Sequence, residues 1–187
     1  MRPIRVSDGS VWVELRQRNA DWLGPWEATP PGGDPLIVPS RLVFTAMRRS
    51  LARQARTGQA LPFAVTYDGR FAGQLTIASI VRGSLNSGFA GYWLDSAVAG
   101  RGVMPTALAL VVDHCFAVVG LHRVEVNIRP ENTASRRVVE KLGFRHEGVR
   151  LCYLHIDGGY RDHIGYALTA EDVPGGLLRR WRGGQSG

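Results

Sequence analysis

The stretch Gly91-Tyr92-Trp93-Leu94-Asp95-Ser96-Ala97-Val98-Ala99-Gly100-Arg101-Gly102-Val103-Met104-Pro105 decides the fold. It passes from the strand-like Tyr92-Trp93-Leu94 through a glycine loop into an apolar helical run over 104–119. A glycine loop feeding a helix start leaves several backbone N–H groups unpaired, and the helix dipole adds positive potential there. Such a place is a ready seat for phosphate. Two common nucleotide loops are excluded by eye. A Walker loop ends in Gly-Lys-Ser/Thr, and the single lysine of the chain is Lys141. A dinucleotide fold needs a third glycine three residues after Gly102, where Pro105 stands, and an acidic ribose partner where Gly120, Leu121 and His122 stand. What remains is a phosphate cradle of another type.

Working outward, Arg123–Ile128 alternates as a strand, so strand, loop, helix and strand make a crossover joining two parallel strands. A ligand is expected beyond the carboxyl ends of such strands, beside the glycine loop. Upstream, Pro62–Tyr67 and Phe71–Ile80 flank Asp68-Gly69, a two-residue hairpin signal. Phe89–Leu94 follows a loop over Arg82–Ser87. Downstream, Asn132 is placed to cap a helix over Thr133–Leu142 that stops at Gly143. Phe144–Ile156 and Tyr160–Leu168 form a last hairpin about Asp157-Gly158-Gly159. Near the front, Asp8 is placed to cap a helix reaching Arg18, although Val11-Trp12-Val13 reads equally well as strand. After the loop-rich Pro30–Pro35, Ser40 is placed to cap a helix with Phe44, Met47, Leu51 and Ala55 on its apolar face, ending at Gly58. The order implies an α/β fold with a mixed, largely antiparallel twisted sheet and one central strand–helix–strand crossover. It fits one domain over residues 1–178, with a basic tail over 179–187 expected to be disordered.

The 187 residues suffice for one sizeable core. The net charge of +7 comes almost wholly from arginine and suits anionic partners: a phosphorylated cofactor, RNA or a ribosome surface. Cys115 and Cys152 lie far apart within apolar runs and read as buried thiols rather than a disulfide. The five histidines have no metal-ligand spacing, so no metal is expected. Residues 103–121 are apolar enough to raise a membrane span, but Pro105, Asp113 and His114 interrupt them and favour a buried helix. Met1–Ser10 has no apolar stretch of secretory type. A cytoplasmic protein without membrane contact is expected, and the sequence leaves monomer and homodimer both open.

Four segments carry a family resemblance: Gly91–Asp95, Gly100-Arg101-Gly102, Asn127–Ser135 and Glu140-Lys141-Leu142-Gly143-Phe144. Together they resemble the GNAT (Gcn5-related) N-acetyltransferases. Tyr153–Gly158 and Tyr160–His163 are similar to the RimJ/RimL branch, the ribosomal-protein-alanine N-acetyltransferases. The resemblance covers about residues 1–170. It implies the acyl-CoA N-acyltransferase fold, with acetyl-CoA in a V-shaped gap between the two parallel strands. By the resemblance, Tyr92, Trp93 and Leu94 contact the acetyl-pantetheine arm, and Gly100, Arg101, Gly102, Val103, Met104 and Pro105 hold the pyrophosphate. Asn132 and Arg137 are further cofactor contacts. Two departures stand out: Ala99 replaces the usual Gln or Arg, and Met104 replaces a small residue. Affinity would then lean more on Arg101, Arg136 or Arg137.

Acetyl transfer needs a neutral amine and a proton for the departing thiolate. An α-amine has a pKa near 8 against about 10.4 for lysine, so an N-terminal acceptor needs only a modest base. Glu125 and Asn127 share one face of their strand. Some related enzymes carry a glutamate base at the position of Asn127, but an amide cannot serve. Glu125 is therefore the first choice of base, with His163 and Asp162 second. The tyrosine acid of many relatives falls on Val139 and is absent, while Ser135 matches a serine that the RimJ/RimL branch places near the sulfur. Trp12, Trp22 and Trp26 with Glu14 and Glu27 are expected either on the acceptor side or in core and turn. The reading is an acetyl-CoA-dependent N-acetyltransferase acting on a protein N-terminus, of the ribosomal-protein type, by direct attack in a ternary complex. A small-amine acetyltransferase and a catalytically inactive RNA- or ribosome-binding module are the alternatives.

Overall fold

The structure, a computed structural model, describes residues 1–32 and 38–184. The expected Pro30–Pro35 loop therefore lies partly outside the described residues. Helices α1 (Gly9–Arg18), α2 (Ala20–Leu23) and α3 (Arg41–Arg56) come first. Strands β1 (Leu61–Tyr67), β2 (Arg70–Val81) and β3 (Ser87–Leu94) follow, then α4 (Val103–Ala117), β4 (Arg123–Ile128) and α5 (Thr133–Lys141). Strands β5 (Arg145–Ile156) and β6 (Gly159–Thr169) and helix α6 (Leu177–Gly183) close the chain. Asp68 and Gly69 both have positive φ, 47° and 75°. That is what a two-residue hairpin turn matched to strand twist requires.

The six strands form one sheet in the order β1-β2-β3-β4-β6-β5. Among the described residues only β3 and β4 pair in parallel, as the crossover dictates, and all other neighbours are antiparallel. Helix α4 buries Met104, Ala107, Leu108, Val111, Val112 and Cys115 in the main core with Leu75, Ile77, Val124, Val126 and Leu168. A second core forms around Trp12, Leu15, Phe44, Ala64 and Phe71. No helix of the described residues is long and apolar enough to cross a membrane.

Several expectations change. Asp8 gives α1 no side-chain cap; it takes a two-pronged Arg2 contact at 2.6 and 2.8 Å and the Arg5 N–H at 2.7 Å. Val11–Val13 is helical, because Trp12 and Leu15 on one helical face fill the second core. Ser40 does cap α3, accepting from the Val43 N–H at 3.3 Å, but Ala55 is exposed. Trp12 is a core residue rather than part of an acceptor wall.

The tail is ordered through α6. Asp113 in α4 accepts the Leu177 and Leu178 N–H groups at 2.6 and 3.0 Å, capping α6 from a neighbouring helix. Trp181 Nε1 donates to Thr106 Oγ1 at 2.9 Å, and Arg180 reaches the Leu142 carbonyl. The last part of the expected disordered stretch, residues 185–187, lies outside the described residues. Cys115 is fully buried, which pushes its thiol up to about 12. Cys152 is exposed, against expectation. It sits at φ 49° where the β5 register shifts, with its N–H held by Asp162 at 2.8 Å, so the bulge turns it out of the core.

Candidate active site

Strands β3 and β4 pair only at Ser87, Gly88 and Phe89 against Arg123, Val124 and Glu125. Beyond Phe89, β3 follows β2 as far as Leu94, whereas β4 follows β6 as far as Ile128. The two strands therefore splay apart toward their carboxyl ends. A cavity of about 190 Å³ opens there, with Ala90, Gly91 and Tyr92 on one side and Val126, Asn127 and Ile128 on the other. Asn132, Ser135, Trp26, Arg129, Ile156 and His163 complete its wall.

The glycine loop stands at the end of β3. A 3-10 turn over Ser96–Val98 is followed by Gly100 at φ 78° and Gly102 at φ 74°, and Gly102 is the N-cap of α4. No side chain caps this helix. Its first-turn N–H groups have no intrahelical partner and no side-chain cap among the described residues, and Pro105 in that turn has no N–H to strand. Nothing lies within 4 Å of a Cβ built on Gly100, so its positive φ, not crowding, demands glycine. Met104 is buried in the core, so the departure at that position fills space behind the loop and leaves the backbone donors untouched. The donor set fits a diphosphate, and a pantetheine arm would run from it into the splayed gap.

The loop is braced from below. Buried Asp95 accepts Arg18 at 2.7 Å and Asn19 Nδ2 at 2.9 Å. Asn19 Oδ1 accepts the Ser96 N–H at 3.0 Å. This fully paired network ties the junction of α1 and α2 to the root of the loop. Sequence reasoning gave Asn19 and Asp95 no role, because their residue types also suit turns and caps; only the distance spanned, about 76 residues along the chain, makes them a brace.

On the α5 side, Asn132 Oδ1 accepts the Ser135 N–H at 3.0 Å, so the expected cap is present and it fixes the first turn. The Tyr92 hydroxyl lies 2.8 Å from Ser135 Oγ and 3.3 Å from the Ser135 carbonyl. Burial pushes the Tyr92 phenol well above its ordinary value, which the Ser135 hydrogen bond only partly offsets. The phenol is therefore protonated. Sequence reasoning assigned Tyr92 through its backbone alone and missed the side chain. The signal was strand alternation: Trp93, packed near Phe71 and Arg16, points to the opposite face. Val139, where relatives carry a phenol, is fully buried.

The structure does not bring Glu125 to the gap. Glu125 is buried at the closed end of the splay, paired with Phe89. Its two oxygens accept Arg123 Nε at 3.0 Å and Arg150 at 2.7 Å, with Ser87 Oγ at 3.4 Å. Sharing a strand face with Asn127 does not put it in the cavity, because the strands have not yet separated there. The cavity instead holds His163, which is 2% exposed. Burial lowers its pKa, Arg129 adds to that, and the Arg161 carbonyl opposes it. The contact of Nδ1 with that carbonyl at 3.0 Å assigns the proton to Nδ1 and leaves Nε2 as the lone-pair nitrogen. Asp162 is used at the bulge, on the Cys152 N–H.

Arg129 lies on the outer wall, paired with Glu131 at 3.2 Å. Arg129 stacks on Trp26 with 5.5 Å to the ring centroid and donates to the Pro25 carbonyl at 2.9 Å. A bridge between Ala28 and Ile156, and the Thr29 N–H on the His155 carbonyl at 2.9 Å, pin this segment to β5. Glu14 and Glu27 pair with Arg18 and Arg16, and Trp22 is exposed. Of the phosphate candidates, Arg101 lies over Tyr67 at 5.9 Å. Arg136 is engaged by Tyr166, Pro130 and Glu140, while Arg137 is exposed on the outer side of α5. Among the described residues no group of three or more metal-ligating side chains forms a metal site.

Comparison with known proteins agrees with this geometry. The model of the family described as acetyltransferase (GNAT) domain matches residues 1–145. The solved structure of Mycobacterium smegmatis RimJ in complex with CoA-disulfide is 40% identical with a TM-score of 0.94, covering 98% of this chain and 88% of that one. The probable N-acetyltransferase YjcK of Bacillus subtilis is 31% identical over 92% of this chain and 94% of its own. The [ribosomal protein uS5]-alanine N-acetyltransferase of Escherichia coli is 30% identical, covering 91% and 88% respectively.

Proposed function

Since the chain belongs to the GNAT family and is an N-acetyltransferase using acetyl-CoA, we propose that its acceptor is the α-amine of a protein N-terminus, of the ribosomal-protein type. The observation that carries this reading is the splayed β3–β4 gap, whose lining includes both Ser135 and His163. The likeness to a uS5-alanine N-acetyltransferase supports the acceptor class. Such an acceptor would put the enzyme in the cytoplasm.

Bound acetyl-CoA supplies the acyl carbon and a thiolate leaving group. The N–H groups of Gly100, Arg101, Gly102, Val103 and Met104 hold the diphosphate at the α4 start, with Pro105 preset in that turn. The β3 edge at Tyr92, Trp93 and Leu94, freed from β4 by the splay, offers backbone partners to the pantetheine amides. Asn132 fixes the first turn of α5, and the exposed Arg137 would be a further phosphate contact.

His163 Nε2 accepts the amine proton. A terminal amine with a pKa near 8 costs about 1.4 kcal/mol to deprotonate at pH 7, against about 4.6 for a lysine. A neutral imidazole held below its ordinary pKa by burial is a modest base, enough for the first and poor for the second. Ser135 Oγ–H would give the sulfur a hydrogen bond as the C–S bond breaks. With the amine proton passing to His163 and the sulfur stabilised by Ser135, attack is direct and needs no covalent enzyme intermediate.

The test is acetylation of three acceptors by the purified chain: an Ala-initiated ribosomal-protein peptide, the same peptide with a blocked N-terminus and internal lysines, and spermidine. Mass-resolved acetylation of the free N-terminus alone is expected. Preference for spermidine or lysine would overturn the acceptor assignment.

A further inference from the structure

The positive charge of this chain is unevenly spread. Around the sheet half containing β4, β5 and β6, arginines meet carboxylates: Arg123 with Glu125 and Glu147, Arg145 with Glu147 and Asp172, Arg150 with Glu125, Arg136 with Glu140. Helix α3 is different. Its sequence, RLVFTAMRRSLARQAR, holds five arginines and no acidic residue. Arg49, Arg53 and Arg56 are exposed and have no acceptor among the described residues.

The helical repeat aligns these three. The apolar residues Val43, Phe44 and Met47 are committed to the second core against α1 and the sheet. At 100° per residue, Arg49, Arg53 and Arg56 fall within about 60° of one another on the face turned away from that core. The 1.5 Å rise puts Arg53 roughly 6 Å and Arg56 roughly 10 Å along the axis from Arg49. Three exposed guanidiniums without internal partners, aligned on one helix face, are suited to successive backbone phosphates, which they engage bidentately. An anionic membrane fits less well, since the large apolar residues of α3 other than Leu42 are packed inward or half-buried.

We propose that the outer face of α3, through Arg49, Arg53 and Arg56, docks on the sugar–phosphate backbone of RNA. This deepens the ribosomal-acceptor reading, because such an acceptor is surrounded by RNA phosphates. The surface belongs to a helix outside the acetyl-transfer gap, so docking and chemistry are separable.

The experiment measures anisotropy of a labelled 20-nucleotide mixed-sequence RNA with the full chain and with R49Q/R53Q/R56Q, across a salt series. Phosphatidylserine vesicles and polyglutamate serve as competing anions. Acetylation of the free-N-terminus peptide is followed in parallel. The wild-type chain is expected to bind RNA with a salt slope steeper by about 2 than the variant, which corresponds to roughly tenfold or more in affinity over a fourfold salt change. Peptide acetylation should be unchanged. Equal RNA affinity and slope, stronger competition by vesicles or polyglutamate than by RNA, or loss of peptide acetylation in the variant would each overturn the proposal. Absence of acetylation by the wild-type chain would strike the enzymatic reading alone.

Discussion

The Tyr92 hydroxyl sits 2.8 Å from Ser135 Oγ, joining the free edge of β3 to the first turn of α5 across the splayed gap. Tyr92 remains protonated, so it orients the serine hydroxyl rather than supplying charge. Ser135→Ala should lower kcat by about 10²-fold or more at unchanged acetyl-CoA affinity. Tyr92→Phe should lower it by about five- to tenfold, the worth of one hydrogen bond. Added to Ser135→Ala, the Tyr92 change should cost nothing further; steady-state kinetics of the four enzymes read this coupling.

His163 predicts a particular pH profile. Its folded pKa is depressed, so the neutral form persists below the ordinary value of 6.5. As pH falls, log kcat/KM should first drop with unit slope near pH 8 as the acceptor amine protonates. A second bend should appear only below about 6.5, as His163 takes up a proton. His163→Gln should remove that second bend and lower the plateau by about 10²-fold.

Glu125 is held by Arg123 and Arg150 at the closed end of the gap. Glu125→Gln should therefore keep kcat within about twofold while costing about 1–3 kcal/mol of stability. At this chain length that is a fall in Tm of roughly 3–10 °C, read by thermal denaturation. A collapse of kcat with an unchanged Tm would restore Glu125 to the chemistry.

Gly102 caps α4 at φ 74°, a conformation that a β-branched residue adopts only with strain. Gly102→Val should weaken acetyl-CoA binding by about tenfold or more, measured by calorimetry, with circular dichroism unchanged. Arg137→Ala should weaken it by only a few-fold, and less at high salt.

The capping of α6 by Asp113 is testable apart from catalysis. Asp113→Ala should cost about 1–2 kcal/mol and raise amide hydrogen exchange over Leu177–Gly183. The rest of the sheet should keep its protection.

How much of this was legible in the sequence depends on the range of the interaction. The Asp68-Gly69 turn, the Ser40 and Asn132 caps and the β4 strand were readable, because each is set by neighbours within a few residues. The crossover and the glycine loop followed from those parts. Helix α6 was not, because its cap comes from Asp113, 64 residues away, and nothing local marks it. Glu125 was assigned to the right strand face, but the point at which β3 and β4 separate is a property of the sheet, not of either strand. The exposure of Cys152 likewise depends on a bulge fixed from the neighbouring strand by Asp162. Ser135, and Asn132 as a cofactor contact, came through the family resemblance, while the coupling of Ser135 to Tyr92 needed the third dimension.

The measurement that bears most directly on the central claim is a crystal structure of the chain with CoA. The account expects the diphosphate on the N–H groups of Gly100 through Met104 and the sulfur between β3 and β4, within hydrogen-bond reach of Ser135 Oγ. CoA seated away from that gap, or a sulfur met by Glu125 and not by Ser135, would contradict it.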